Sequence, residues 1–244
     1  MNSNKKNIRV DVVIPVYNEE AELGKNITKL YNFLDKNSKY KYNIIIANNA
    51  STDNTLNIAK KLSKKLPNVS YIHLDKKGRG RALRKTCIES EADILSYMDI
   101  DLSTNLNHFI DIVEAIAKYN YDLGIGSRLA KGAVVKRSLK RQILSVGYNI
   151  LLKILFMPTF TDAQCGFKAI RREVAKKLIP MTKDKNWFFD TEILLLAERY
   201  NYKIFEVPVI WVERKDSKVK IFKTISEYLV SMARMRIKFW RDKN

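Results

Sequence analysis

Short apolar segments of strand length alternate with amphipathic helical segments over the first half of this chain. The predicted strands cover residues 8–16, 42–47, 69–74 and 94–98, and each precedes a segment whose apolar residues recur at helical spacing. This alternation predicts an open, mostly parallel sheet with helices on both faces. Ligands of such sheets bind beyond the carboxyl ends of the strands, so a functional site is expected in the loops that follow them.

The loop after the fourth predicted strand carries two carboxylates, Asp99 and Asp101. Residues i and i+2 at the end of a strand point the same way, so both side chains can converge on one point. Convergent carboxylates repel each other unless a cation lies between them, and hard oxygen ligands suit Mg²⁺ or Mn²⁺. The alternative is a solvated turn in which an Asp caps the next helix. The spacing alone leaves both interpretations open.

The net charge of this chain indicates what kind of partner it binds. The 244 residues include 45 Lys and Arg against 26 Asp and Glu, which gives a formal net charge of +19. A charge of this size predicts a polyanionic partner: nucleic acid, an anionic membrane surface or a phosphorylated substrate. Two cysteines, Cys87 and Cys165, provide no disulfide framework and favour a reducing cytosol.

Two stretches in the second half combine basic and apolar residues. Residues 123–161 contain no Asp or Glu but seven Lys and Arg, and residues 143–156 within them are predicted to form a strongly apolar helix. Residues 221–240 repeat the combination. Helices of this kind are typical of anionic membrane surfaces, although a helix packed on the sheet with a solvated basic face is the alternative.

Neither stretch is expected to cross a bilayer, because no uncharged run is long enough. The amino-terminal apolar run is broken by Asp11 and Pro15 and does not resemble a signal peptide. We therefore expect a cytoplasmic protein that is soluble or lies on the membrane surface.

Seven short motifs occur in order: VVIPVYNEE, NASTDNT, KGRGRA, DIDL, IGSR, DAQCGFK and FFDTE. Together they resemble the inverting family 2 glycosyltransferases, and within these the polyprenyl-phosphate sugar synthases, especially the dolichyl-phosphate β-glucosyltransferases. The resemblance implies a GT-A fold, which is Rossmann-like with a mostly parallel sheet and helices on both faces, plus amphipathic interfacial helices. It implies a GT-A domain at residues 1–218, including an interfacial acceptor segment at 128–160, followed by an amphipathic helix at 219–244.

The activity implied by the resemblance is metal-dependent, inverting transfer of a sugar from a UDP-sugar to dolichyl or another polyprenyl phosphate. Glucose is the expected sugar, and the reaction is expected at the cytosolic membrane face. The alternatives are UDP-N-acetylglucosamine or GDP-mannose as donor, or a polysaccharide as acceptor. Ser103 replaces a Gln found in many mannosyl relatives, which argues against GDP-mannose. A basic nucleic-acid-binding protein is the rival from another class, but the basic residues accompany aliphatic rather than aromatic side chains.

Carried over residue by residue, the resemblance implies three overlapping sets of site residues. Mg²⁺ or Mn²⁺ is expected at Asp99, Asp101 and Ser103, and the expected catalytic residues are Asp99, Asp101 and Asp162. The donor set comprises Pro15, Tyr17, Glu19, Asn49, Asp53, Arg79, Asp99, Asp190 and Lys218. The acceptor-phosphate set comprises Arg128, Arg137, Arg141 and Ser145.

Three of these assignments carry a further expectation. Asn49 stands where many relatives have Asp, and its carbonyl could accept a hydrogen bond from a uracil N3–H. Asp162 is expected to orient the reaction rather than act as a base, because a phosphate acceptor is already an anion; a turn or cap Asp is the alternative. Asp190, and not Glu192, is expected to reach the site, because side chains two residues apart on a helix point in different directions.

Overall fold

The computed structural model of the protein describes residues 8–213 and 221–242, with side chains of the last helix described from residue 224 onward. The predicted alternation of strands and helices in the first half is confirmed. The elements are β1 (Arg9–Val16), α1 (Leu23–Asn37), β2 (Lys41–Asn49), α2 (Thr55–Lys65), β3 (Val69–Leu74), α3 (Arg79–Glu89), β4 (Ile94–Tyr97) and α4 (Asn107–Ala117).

The second half is less regular and contains shorter strands. A single 3₁₀ turn at Ile179–Met181 separates two of its helices. The elements are β5 (Leu123–Ser127), β6 (Val134–Lys136), α5 (Leu139–Phe156), β7 (Lys168–Arg171), α6 (Arg172–Leu178), α7 (Phe189–Arg199), β8 (Ile204–Pro208), β9 (Ile210–Val212) and α8 (Ile221–Arg241).

Within the described residues, seven strands form the main sheet in the order β3-β2-β1-β4-β7-β5-β8. All neighbouring pairs are parallel except those of β7, which runs antiparallel to both β4 and β5. The sequence pattern did not predict β7, because its four residues, K-A-I-R, begin and end with a charge and form no apolar run. Two short strands, β8 and β9, flank Val209, but β9 pairs with β6 in a separate small sheet.

Helices cover both faces of the main sheet. Val12 and Ile14 of β1 pack in a core with α1, α2 and α4, while Val13 points to the opposite core, which contains side chains of α3 and α5 through α8. This alternation is the period-2 pattern of a strand that is buried on both sides. The sheet is therefore fully sandwiched, and its strand ends are where a ligand can approach.

The last helix is part of this packing. Met232 and Met235 of α8 are each 1% exposed and belong to the core on the α5 side. An aromatic pair joins α8 to α5 at each end of the contact, with ring centroids 4.9 Å apart for Tyr148 and Tyr228 and 5.9 Å apart for Phe156 and Phe239. Among the described helices, none is at once long and apolar enough to cross a membrane.

The contact between β5 and α4 can be tested by a pair of glycine substitutions. A Cβ at Gly124 would lie 2.6 Å from the carbonyl oxygen of Ile112 and 2.8 Å from its Cβ. Gly124→Ala is therefore expected to lower the free energy of unfolding by about 2 kcal/mol, measured by urea denaturation. Gly147, exposed within α5, would place a Cβ in open space, so Gly147→Ala is expected to raise that free energy by about 0.5–1 kcal/mol. A neutral Gly124→Ala would contradict the close packing.

Candidate active site

The loops after β1 and β2 are joined into one unit beyond the sheet edge. The backbone N–H of Asn18 donates to Ser51 Oγ at 3.0 Å, and that of Glu19 donates to Thr55 Oγ1 at 2.8 Å. Glu20 accepts in return from the N–H of Asn54 at 2.9 Å. These hydrogen bonds follow from the register of the parallel strands, which ends β1 and β2 side by side. Of the predicted donor residues, Tyr17 and Glu19 thus lie on a braced loop, and Pro15 lies in β1 just before it.

Asp53 is one of the braces. Its Oδ1 accepts from the N–H of Thr55 at 3.0 Å, and its Oδ2 accepts from the N–H of Glu20 at 3.3 Å. Burial works to raise the pKa of Asp53, but these hydrogen bonds outweigh it, and the pKa lies below the ordinary carboxyl value. Both carboxylate oxygens are therefore used to hold the loops together, and a donor contact of Asp53 stays a prediction.

Asn49 and Tyr17 lie at the start of the predicted nucleotide site. The carbonyl oxygen of the buried Asn49 accepts from the N–H of Gly78 at 2.7 Å. This oxygen, which was expected to meet a uracil N3–H, therefore has one lone pair already engaged, and the amide NH₂ group is the remaining donor. Lys77 lies over the Tyr17 ring, with its Nζ 3.4 Å from the ring centroid. The loop after β1 therefore carries a cation stacked on an aromatic ring.

Beyond β4, Asp99 and Asp101 line a cavity of about 60 Å³ together with Ser103, Arg128 and Gly166. Leu102 has a positive φ of 49°, which turns the chain sharply after Asp101, and the Asp101 carboxylate accepts from the N–H of Ser103 at 3.0 Å. The Ser103 hydroxyl is buried and has no hydrogen-bond partner among the described residues. An unpartnered buried hydroxyl next to two carboxylates is available to a ligand.

Arg79, at the start of α3, joins Asp99 to Asp190. Its Nη2 and Nε lie 3.0 and 3.3 Å from Asp99 Oδ1, while its Nη1 donates to Asp190 Oδ2. The guanidinium carbon is 5.3 Å from the ring centroid of Trp187, and the side chain is 7% exposed. The pKa of Asp99 lies above the ordinary carboxyl value, chiefly because the side chain is partly removed from water. The positive charge of Arg79 lowers this pKa, whereas the negative charge of Asp101 raises it further. A cation bound between the two carboxylates would relieve that repulsion.

Asp190 is buried at the start of α7 and is fully hydrogen-bonded. In addition to Arg79, it accepts from Tyr97 Oη at 2.7 Å and from Lys168 Nζ at 3.1 Å. Burial acts to raise the pKa of Asp190, but Arg79 and Lys168 outweigh it and hold the pKa below the ordinary value. Glu192 points elsewhere and accepts from the N–H groups of residues 183 and 184. Asp190, and not Glu192, thus contacts Arg79 beside the cavity, and its role in donor binding stays a prediction.

Sequence reasoning did not single out Lys168. The available signal was the lone Lys in C-G-F-K, which the structure places in β7 at 2% exposure. Because the antiparallel strand itself was not predicted, its inward direction could not be inferred from the pattern.

Asp162 and Arg128 form a buried pair on the other side of the cavity. Arg128 donates through Nε to Asp162 Oδ2 at 2.7 Å and through Nη2 to Oδ1 at 2.9 Å. Burial of Asp162 would raise its pKa, but Arg128 holds it at about 2. A carboxylate of such low basicity is a poor general base at neutral pH. Asp162 also accepts from the N–H of Gln164 at 3.0 Å, so it stabilises a turn as well as orienting Arg128.

The remaining acceptor residues lie in the loop between β6 and α5 and in the first turns of α5. Arg141 pairs with Glu213 at 2.5 Å, and Arg137 donates through Nε to Gln142. Two buried donors, Arg137 Nη2 and Ser145 Oγ, have no hydrogen-bond partner in the described part of the chain. Burial, followed by repulsion from Arg128, lowers the pKa of Arg137.

Lys218, predicted to contact the donor, lies outside the described residues.

The oxygen ligands at the end of β4 can be compared with what a divalent ion requires. In the described ranges, no three His, Cys, Asp or Glu side chains come together as a metal site. Asp99 and Asp101 provide two carboxylates, and the unpartnered Ser103 hydroxyl adds a neutral oxygen. Mg²⁺ is commonly held by one or two carboxylates, with substrate phosphates and water completing the octahedron. The residues therefore fit a divalent ion bound jointly with a diphosphate.

Comparison with known proteins gives a family and several relatives. Residues 11–179 match the family Glycosyl transferase family 2. Dolichyl-phosphate beta-glucosyltransferase of Dictyostelium discoideum is 31% identical in an alignment that covers 98% of this chain and 78% of that protein. The human protein of the same name is 32% identical over 88% of this chain and 70% of its own length. Glycosyltransferase AglD of Haloferax volcanii is 34% identical over 89% of this chain, but the chain spans only 35% of that protein.

Solved structures show the same fold. Glucosyl-3-phosphoglycerate synthase from Mycobacterium tuberculosis in complex with UDP has a TM-score of 0.70 and 16% identity, covering 94% of this chain and 80% of that one. The same enzyme with Mn²⁺ and UDP-glucose has a TM-score of 0.67 and 17% identity over 94% and 79% of the two chains. The expected GT-A fold is confirmed. Together, the fold and the family match over residues 11–179 establish that this chain is a glycosyltransferase of family 2.

Proposed function

We propose that this glycosyltransferase transfers glucose from UDP-glucose to dolichyl phosphate or another polyprenyl phosphate, with Mg²⁺ or Mn²⁺ as cofactor, at the cytosolic face of a membrane. The observation that carries the proposal is the cavity in which Asp99 and Asp101 face Arg128 of the acceptor segment. The names of the relatives support the acceptor and the sugar, and the UDP-glucose complex of a protein with the same fold supports the donor.

On the donor side, Asp99 and Asp101 would hold the divalent ion, which when bound supplies positive charge to the diphosphate. Arg79 lies within hydrogen-bond distance of Asp99 and would donate to the same diphosphate. In the reaction, a phosphate oxygen of the acceptor forms a bond to the anomeric carbon while the bond from that carbon to the diphosphate breaks. UDP leaves as an anion, and the configuration at the carbon inverts.

On the acceptor side, no strong base is required, because the attacking phosphate is already an anion at neutral pH. The low pKa of Asp162 fits this chemistry: the carboxylate stays charged and fixes Arg128. The unpartnered buried donors, Arg137 Nη2 and Ser145 Oγ, would donate hydrogen bonds to a phosphate. These observations support an acceptor phosphate at the start of α5.

The outer faces of α5 and α8 support attachment to a membrane surface. On α5, Leu139 is 80% exposed and Ile154 is 72% exposed; on α8, Val230 is 71% exposed and Trp240 is 65% exposed. The exposed basic side chains on the same two helices include Lys140, Lys153 and Arg236. Adjacent apolar and basic surface of this extent is characteristic of helices that lie in the headgroup region. A polyprenyl chain could stay in the bilayer while its phosphate enters the site.

The proposed reaction can be tested by incubating the protein with radiolabelled UDP-glucose, UDP-N-acetylglucosamine or GDP-mannose together with dolichyl phosphate and Mn²⁺. Label from UDP-glucose is expected in the organic phase, and EDTA should abolish the transfer. Asp101→Asn is expected to reduce turnover by about 100-fold or more, because one carboxylate of the metal site is removed. Glu89→Gln, at an exposed residue near the far end of α3, is the control. Transfer from GDP-mannose alone, or full activity in EDTA, would contradict the proposal.

Gly166 tests whether the position of Asp99 matters. A Cβ at Gly166 would lie 2.3 Å from Asp99 Oδ2 and 3.0 Å from Arg79 Nη2. Gly166→Ala is therefore expected to displace the carboxylate and raise the Mn²⁺ concentration required for half-maximal transfer by about tenfold, for a loss near 1.4 kcal/mol. Gly24→Ala, where a Cβ meets nothing within 4 Å, should leave the Mn²⁺ requirement unchanged. An unchanged requirement in Gly166→Ala would argue against metal binding by Asp99.

Arg137 tests the acceptor site. Arg137→Ala removes a donor with a buried, unpartnered nitrogen, and it is expected to raise the KM for polyprenyl phosphate about tenfold with little change in the KM for UDP-glucose. Lys176→Ala, at an exposed lysine of α6 outside the acceptor segment, is the control. Equal loss of affinity for donor and acceptor in Arg137→Ala would contradict the assignment.

Vesicle flotation tests the membrane surface. The protein is expected to float with anionic vesicles at low salt and much less with neutral vesicles or at high salt, since each basic residue contributes about 1 kcal/mol near an anionic surface. Ile154→Asp should weaken flotation, whereas Ile88→Asp, at an exposed residue of α3 outside this surface, should not. Absence of flotation together with tight RNA binding would favour the nucleic-acid alternative.

A further inference from the structure

Lys168 is a buried lysine that the proposed reaction does not use directly. It lies in β7 opposite Tyr97 of β4 and Ile125 of β5 and is 2% exposed. Its ammonium group donates to the carbonyl oxygens of Cys165 and Ala163 and to the carboxylate of Asp190. Lysine is almost never fully buried unless its charge is paired, because removing the charge from water is costly. A charged side chain at this buried position therefore calls for a functional explanation.

The partners of Lys168 form a row of alternating charge that ends at Asp99 beside the cavity. Asp190 receives Lys168 and Tyr97 on one oxygen and Arg79 on the other. Arg79 in turn faces Asp99 at 3.0 Å. The guanidinium group of Arg79 is thus shared between a buried carboxylate and the carboxylate that lines the cavity. The charge of Lys168 beside Asp190 therefore affects how strongly Asp190, rather than Asp99, attracts Arg79.

We propose that Lys168 is a positioning residue that acts through Asp190 to keep Arg79 available at the cavity for the donor diphosphate. With Lys168 in place, part of the charge of Asp190 is neutralised, and Arg79 remains beside Asp99. Without it, Asp190 holds Arg79 more strongly, and the charge around the cavity falls by one unit. The inference rests on the proposed function, because it takes Asp99 to hold a divalent ion and Arg79 to bind a diphosphate.

Two effects follow, and they have opposite signs. Loss of the Lys168 charge should strengthen binding of a cation at Asp99 and Asp101, because Asp99 is released from Arg79 and the local potential becomes more negative. The same loss should weaken binding of a diphosphate anion. A purely structural role predicts a different pattern: Lys168 also holds the carbonyl groups of residues 163 and 165, next to Gly166, so a loosened loop would weaken both ligands.

The test compares wild type, Lys168→Met and Lys168→Gln in two binding measurements. Free Mn²⁺ is followed by electron paramagnetic resonance without nucleotide, and UDP is titrated by calorimetry at saturating Mn²⁺. In both variants Mn²⁺ is expected to bind about threefold more tightly and UDP roughly tenfold more weakly, as a unit charge change in a partly buried site produces. Lys168→Gln retains a hydrogen-bond donor toward the loop, so it isolates the charge. Lys176→Met, at an exposed lysine of α6, should shift neither affinity.

Weaker binding of both ligands, or no change in either, would overturn the positioning role of Lys168. If Lys168→Met does not fold, Lys168→Gln decides by the same two signs, with its thermal unfolding recorded alongside. Wild-type protein that bound neither Mn²⁺ nor UDP would overturn the proposed function and this inference with it. Wild-type binding with unshifted variants would overturn this inference alone.

Discussion

The buried contact of Arg79 with Asp190 joins the two halves of the molecule at the active site. Arg79 begins α3 in the regular half, and Asp190 begins α7 in the irregular half. A buried arginine is stable only with paired carboxylates, and here one partner lies in the interior and the other, Asp99, at the cavity. The position of the loop after β4 therefore depends on residues nearly a hundred positions further along the chain. Lys168 of β7, the strand between β4 and β5, contacts the same Asp190.

Charge balance also shapes the acceptor side. Two of the three arginines expected to bind the acceptor phosphate are paired with carboxylates, Arg128 with Asp162 and Arg141 with Glu213. Such pairs keep the guanidinium groups ordered, and they lower the cost of gathering like charges in one place. Arg137 is the member that keeps a buried nitrogen without a partner among the described residues. An incoming phosphate would therefore meet ordered guanidinium groups, and the unpartnered nitrogen of Arg137 could donate to it.

The regular half of the fold and the two carboxylates after β4 could be predicted from the sequence, because local periodicity and strand-end spacing encode them. The hydrogen bonds and ion pairs that hold the loops in place could not be predicted in this way. Asp53 was expected at the donor, yet both its oxygens accept backbone N–H groups, a detail set by the register of β1 and β2. Lys168 and Glu213 carry no local signal, because their partners lie 22 and 72 residues away in the chain. Short sequence motifs do not show which charged residues pair in the folded protein.

The central claim is that a divalent ion and a nucleoside diphosphate occupy one site at the ends of the strands. Titration of UDP by calorimetry with and without Mn²⁺ tests it most directly, because linked ligands must strengthen each other equally. Mn²⁺ is expected to raise the affinity for UDP at least about tenfold, and UDP is expected to raise the affinity for Mn²⁺ by the same factor. An affinity for UDP that is the same in Mn²⁺ and in EDTA would contradict it.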